Sequence, residues 1–134
     1  MPARTTWYQE NRVMIVKVEG ELTLADMAAA DVKIVELVRA GSQFNPLVHL
    51  IVDMRDMTKM PVNLAQVHRT LTHLKEPALG WSVMIGMSPV MRFVSSTVIQ
   101  MAGAHFRIFP AAEEGVAFLI SQDEGVMDLE REAV

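Results

Sequence analysis

Leu47-Val48-His49-Leu50-Ile51-Val52-Asp53-Met54-Arg55-Asp56 decides the fold. Apolar, mostly β-branched residues run without alternation and stop at two aspartates. A strand reads this way when both its faces are covered, as in the middle of a parallel sheet. Its carboxyl end then emerges where open α/β sheets gather ligands and partners. The strand is expected over about 47–53, with residues 54–61 as a connection.

Working outward, Thr5–Tyr8 and Val13–Val18 are strand-prone on either side of a polar turn, which predicts a hairpin that Gly20 ends. Thr23-Leu24-Ala25-Asp26 resembles a capping box, followed by Met27, Ala30, Ile34, Leu37 and Val38 at helical spacing. Asp26, Asp31, Lys33, Glu36 and Arg39 fill the other positions, and Gly41 is expected to close this helix with positive φ. Beyond the central strand, Asn63 to Gln66 offers a second capping box. The stripe Leu64, Val67, Leu71, Leu74 predicts one helix ended by Pro77. A strand over 81–87, a helix opened by Ser88-Pro89 and closed by Gly103, and a strand over 105–109 follow. A last helix opens with Glu113 and Glu114 near its positive end. The order β-β-α-β-α-β-α-β-α predicts an α/β fold: a mixed, largely parallel sheet of about five strands with four helices.

Composition narrows the function. A chain of 134 residues with 51% hydrophobic and 21% charged residues is long enough for one domain with a sizeable core. No apolar run reaches the roughly 18 residues that span a bilayer, and the first residues lack the apolar core of a signal peptide, so a cytoplasmic protein is expected. The absence of cysteine excludes disulfides and thiol catalysis. The net charge of −4 resides in residues 122–134, where five acids face Arg131 alone; the remainder balances at 11 acidic and 11 basic residues. The expected division is a domain over 1–121 and an acidic tail over 122–134, either an extra helix packing through Val126 and Leu129 or a frayed end. Without a basic stripe, nucleic-acid binding is not expected. A neutral body offers little charge repulsion against self-association.

Three stretches resemble the STAS domain, the fold of anti-sigma-factor antagonists, and most closely its SpoIIAA-like branch. Val16-Lys17-Val18-Glu19-Gly20-Glu21-Leu22-Thr23 is similar to the family's strand-Gly-x-Leu-Thr entry into its first helix. Leu50 to Met57 is similar to its central "VVLDLSGV" strand. Met87-Ser88-Pro89, with Phe109 through Leu119, is similar to its third helix, last strand and closing "EEAL" helix. The resemblance spans about residues 5–121. It implies a non-catalytic regulatory or protein-interaction module. Family members that switch by phosphorylation carry a Ser at the start of the second helix; here Pro61-Val62-Asn63-Leu64 stands there and Thr58 lies outside that context.

The chemistry-bearing residues are sparse. Asp53 and Asp56 read as paired acids for general acid/base work or a hard metal. The preferred reading is structural, Asp53 capping local backbone N–H groups and Asp56 forming a turn. His68 and His73, five apart on an expected helix, diverge by about 140° and do not make a zinc pair. His49 is expected to be an interior or edge histidine with its polar atoms satisfied rather than a catalyst. Ser95, Ser96 and Thr97 have no nucleophile elbow around them, and no glycine-rich phosphate loop is present. No cofactor and no metal are expected. The 11 methionines stand out, with Met54, Met57 and Met60 in one expected loop. Methionine is over-used on adaptable binding surfaces. The expected interaction groove therefore comprises Asp53, Asp56, Met57, Thr58, Met60, Val62, Asn63, Met87 and Ser88. Its expected occupants are a second copy of the chain, a protein partner or an apolar, lipid-like small molecule.

Overall fold

The computed structural model describes residues 2–128. Its elements are β1 (Ala3–Gln9), β2 (Val13–Glu21), α1 (Leu24–Gly41), β3 (Val48–Lys59), α2 (Leu64–Thr70), a 3-10 turn (Thr72–Lys75), β4 (Leu79–Ile85), α3 (Pro89–Ala102), β5 (Phe106–Phe109) and α4 (Ala112–Gln122). The five strands lie in the order β1-β2-β3-β4-β5. β1 is antiparallel to β2 and every other pair is parallel. The α/β class and the mixed, largely parallel sheet with four helices match the expectation.

Each of the three crossovers β2-α1-β3, β3-α2-β4 and β4-α3-β5 steps the same way across the sheet, so right-handed connections put all three helices on one face. That face holds the larger core, where Met14, Val16, Leu50 and Met84 meet Met27, Ile34, Val38, Val67 and Val98. The other face is smaller: Val13, Ile51, Val83 and Ile85 pack against Ala112, Val116 and Leu119 of α4.

The first helix caps as expected, with Thr23 and Asp26 each bonding the other's backbone N–H. Its end differs. The cap is Ser42 in right-handed conformation, and Gly41 sits inside the last turn. A Cβ on Gly41 would lie 2.8 Å from the Asn11 carbonyl oxygen and 2.9 Å from a Val48 methyl, so close approach, not positive φ, requires glycine there. Gly103 does take φ +73 as the cap of α3. The second helix also differs. It stops at Leu71 (φ −88, ψ 70), and residues 72–75 form a separate 3-10 turn. Asp31 of α1 supplies the reason: its carboxylate accepts the backbone N–H of His73 at 2.8 Å and the Thr72 hydroxyl, holding the 3-10 turn from outside.

The largest correction concerns residues 54–61. β3 does not stop at Asp53 but continues to Lys59. Its ladder with β2 slips twice. Lys17 pairs with Asp53 but Glu19 with Asp56; Gly20 pairs with Met57 but Glu21 with Lys59. Each slip is a bulge with one extra residue on β3, and a bulge reverses which face the following side chain takes. Met54, Met57 and Met60, three apart, therefore all face the helices and are 9%, 7% and 8% exposed. Asp56 lies in the strand rather than in a turn.

Candidate functional site

The expected groove divides into an interior part and a surface part. Met57 and Met60 belong to the interior. With Met27, Met54 and Met84 they line a cavity of about 100 Å³ between the sheet and the three helices. Asp31, His73, Ser82 and Ser95 are its polar lining residues. Asp31 and His73 are committed to each other, with Oδ1 2.7 Å from Nδ1. Burial opposes ionisation of Asp31, but the bonds from His73 and Thr72 outweigh it and hold its carboxyl below the usual range. Ser82 is different. It is 2% exposed, and its Oγ is the one fully buried side-chain polar atom without a hydrogen-bond partner among the described residues.

Asp53 is not a free acid. Arg55 donates to both carboxylate oxygens, at 3.0 and 2.9 Å, and its backbone N–H donates to Oδ1 at 3.1 Å. The Arg55 side chain thus keeps the Asp53 carboxyl below its ordinary range. Gly86 makes room, with φ +75 and no Cβ to strike Arg55. The expectation that Asp53 serves a local backbone N–H holds; Asp56 is exposed on the strand.

The surface part comprises the remaining residues. Thr58 and Val62 are exposed, Val62 at 59%. Asn63 caps α2 by accepting from the Gln66 N–H. Met87 is half-buried, and Ser88 caps α3 by accepting from the Met91 N–H. Beyond them, α3 turns Val90 and Phe93 outward, 63% and 65% exposed, with Met101 further along at 57%. Of the 14 residues in α3, only Arg92 is charged.

His49 is the interior histidine that its position in the strand implied. It is 1% exposed. Nδ1 accepts the Trp81 N–H at 3.0 Å, so Nε2 carries the proton and donates to Asp123 Oδ2 at 3.0 Å. Burial lowers the pKa of His49, which favours the neutral ring this arrangement needs. Gly80 leaves the space that the ring occupies. Asp123 also takes two bonds from Arg12, at 2.8 and 3.0 Å, and one from the Gly125 N–H at 2.9 Å. Burial opposes ionisation of Asp123, yet these donors hold its carboxyl below the usual range. Gln9 bonds Gly125 and Met127, and Val126 is 4% exposed. Residues 123–128 are thus latched onto the hairpin without forming a helix; Leu129 lies outside the described residues.

The two polar clusters were not legible as sites in the sequence. For Asp31 a signal existed, because residues 27, 31, 34 and 38 share one helical stripe and an acid on an apolar stripe implies a buried partner. His68 and His73 do not converge: the first stands on α2 and the second on the 3-10 turn. Among the described residues, no group of three or more His, Cys, Asp or Glu could hold a metal, and no helix is long and apolar enough to cross a membrane.

A three-helix face, a one-helix face and a leading antiparallel strand give the chain the SpoIIAA-like α/β fold. Solved structures of that fold superpose on it. The anti-sigma factor antagonist SpoIIAA in its unphosphorylated form matches with a TM-score of 0.58 and 18% identity over 92% of this chain and 99% of that one. An uncharacterised DUF3478-family protein with a SpoIIAA-like fold, from Shewanella loihica, matches with 0.58 and 13% over 87% and 91%. The Bacillus cell fate determinant SpoIIAA in its phosphorylated form matches with 0.55 and 15% over 87% and 98%. At these identities the likeness is one of fold. No family model and no curated protein matches the sequence.

Proposed function

We propose that the protein is a non-catalytic, cytoplasmic regulatory module of STAS type that acts by binding protein and is itself a homodimer through the outer face of α3. The observation that carries this reading is α3 itself. A helix on a globular surface normally turns charged residues to water. Here the outer face offers Val90, Phe93 and Met101, with the half-buried Ser96 and Thr97 between, and a single charge in 14 residues. Exposed apolar patches of this kind mark interaction surfaces. Small residues beside Phe93 let another helix approach closely, and the near-neutral body does not oppose a second copy.

Several features support the non-catalytic part. Asp53 is neutralised by Arg55, and Ser88 is engaged as a cap. SpoIIAA has been solved with and without phosphate. In this chain Val62 and Asn63 stand at the start of α2, and neither can take the phosphate of a Ser switch. Regulation here therefore rests on association rather than on phosphate at that helix start.

Sedimentation velocity and native mass spectrometry of the full chain test the reading. The expected result is a dimer that Phe93→Glu converts to a monomer, with the far-ultraviolet circular dichroism spectrum unchanged. A wild-type monomer at high micromolar concentration, or a dimer that survives Phe93→Glu with Val90→Glu, would overturn it.

A further inference from the structure

We propose that the cavity beneath α1, α2 and α3 is a binding site for one small neutral molecule with an apolar body and a single hydrogen-bonding oxygen, which meets Ser82 Oγ. This goes beyond the α3 reading and stands on separate observations.

Size comes first. An apolar cavity of about 150 Å³ binds benzene, whereas one water needs only about 10–15 Å³. At about 100 Å³ the cavity lies between the two. That volume suits a molecule of about five non-hydrogen atoms and is too small for a lipid chain. The expected apolar ligand therefore becomes a short one, held in a partly open pocket beneath the helices.

Polarity comes second. A buried water seeks two to four polar partners. Asp31 and His73 already bond each other, and the wall is otherwise mostly apolar. Among the described residues Ser82 Oγ is left without a partner at 2% exposure, a costly state for a buried hydroxyl. A ligand oxygen relieves that cost while its apolar body covers the rest of the wall. A charged ligand is excluded by the desolvation that an apolar wall imposes.

Adaptability comes third. Met27, Met54, Met57, Met60 and Met84 supply much of the wall. Their unbranched, polarizable side chains fit irregular shapes. The two bulges of β3 bring Met57 and Met60 to the face that Met54 already occupies, a departure from regular pairing that serves the cavity wall directly.

The test is a titration of the full chain with 1-butanol, read on methionine methyl resonances by NMR. The expected result is saturable shifts of the Met54, Met57 and Met60 methyls, with the exposed Met101 and Met127 unmoved. Ser82→Ala should weaken binding about fivefold through loss of one hydrogen bond. Ala30→Leu, which enlarges a residue lining the cavity, should abolish binding. Three results would each overturn the proposal: no saturable shift, equal shifts at Met101 and Met127, or undiminished affinity in Ser82→Ala. Wild type and Ser82→Ala decide the matter even if Ala30→Leu fails to fold. Sedimentation reads the α3 dimer separately, so either proposal can fail alone.

Discussion

The two ends of the sheet are built on opposite principles. At the amino ends of the parallel strands, polar groups are paired across the chain. Arg12 reaches Asp123 and Asn45, Asn45 donates to the Asn11 carbonyl, and His49 bonds Trp81 and Asp123. Toward the carboxyl ends, the interior is soft and incompletely filled, with methionines around a cavity that reaches back to Ser82 in mid-strand, and Val62, Val90 and Phe93 uncovered outside. One end ties residues 123–128 to the hairpin turn. The other leaves surface and volume for something else. A saturated polar network specifies geometry, whereas an unsatisfied one marks a place where a partner or ligand completes the structure.

The largest expected effect falls on the saturated end. Asp123→Ala strips partners from Arg12, from the Gly125 N–H and from His49 Nε2, the last of these on a ring that is 1% exposed. Leaving buried donors unpaired should cost roughly 3 kcal/mol. Urea unfolding should show this as a lower midpoint at constant slope. An effect below about 0.5 kcal/mol, the usual range of a surface substitution, would show that the latch is ornamental and would break the contrast between the ends. Gly80→Ala should follow at about 2 kcal/mol, the ordinary range for overpacking, because a Cβ there collides with the His49 ring. A melt of this variant indistinguishable from wild type would mean that the ring does not sit against Gly80.

How much of this the sequence disclosed varies along the chain. The strand around Leu50 and Ile51, the Thr23–Asp26 box and the Gly103 cap were legible, since each depends on residues close in sequence. Residues 54–61 read as a connection because the apolar run stops at two aspartates, yet methionines three apart do not alternate as a regular strand does. Two bulges resolve the contradiction, and bulges depend on the partner strand rather than on β3 alone. The break in the second helix was hidden for a similar reason: its cause, Asp31, stands about 40 residues earlier. The same distance effect concealed the role of Asp123, which meets His49 across 74 positions. In the expected site, Thr58 and Val62 are exposed, Asn63 and Ser88 cap helices, and Met87 is half-buried. The methionines moved inward, taking the apolar-ligand idea with them.

A smaller effect separates the ends by pH. Burial lowers the pKa of His49 from 6.5, so the unfolded chain takes up this proton before the folded one does. The stability held by the neutral ring is present above pH 6.5 and is lost as pH falls through it. Asp123, whose carboxyl is held low, adds a further loss at more acidic pH, in the same direction. The melting temperature should therefore fall between about pH 7 and pH 5. In His49→Asn that slope should flatten, whatever the absolute stability. An equal slope in the variant would assign the pH dependence to other groups.

The smallest expected effect is the sharpest, because its sign is unusual. Removing a buried hydroxyl normally destabilises by about 1 kcal/mol through the lost hydrogen bond. Ser82 Oγ makes no such bond among the described residues, so Ser82→Ala removes an unsatisfied group from an apolar wall. The variant should be unchanged or more stable by up to about 1 kcal/mol, since the desolvation cost of the hydroxyl disappears with it. The same oxygen is required for the ligand affinity proposed above. Stability should thus hold or rise at the one position where binding falls. A residue kept for packing alone would lose both or neither, so the paired measurement separates a hydroxyl retained for a ligand from one retained for the fold.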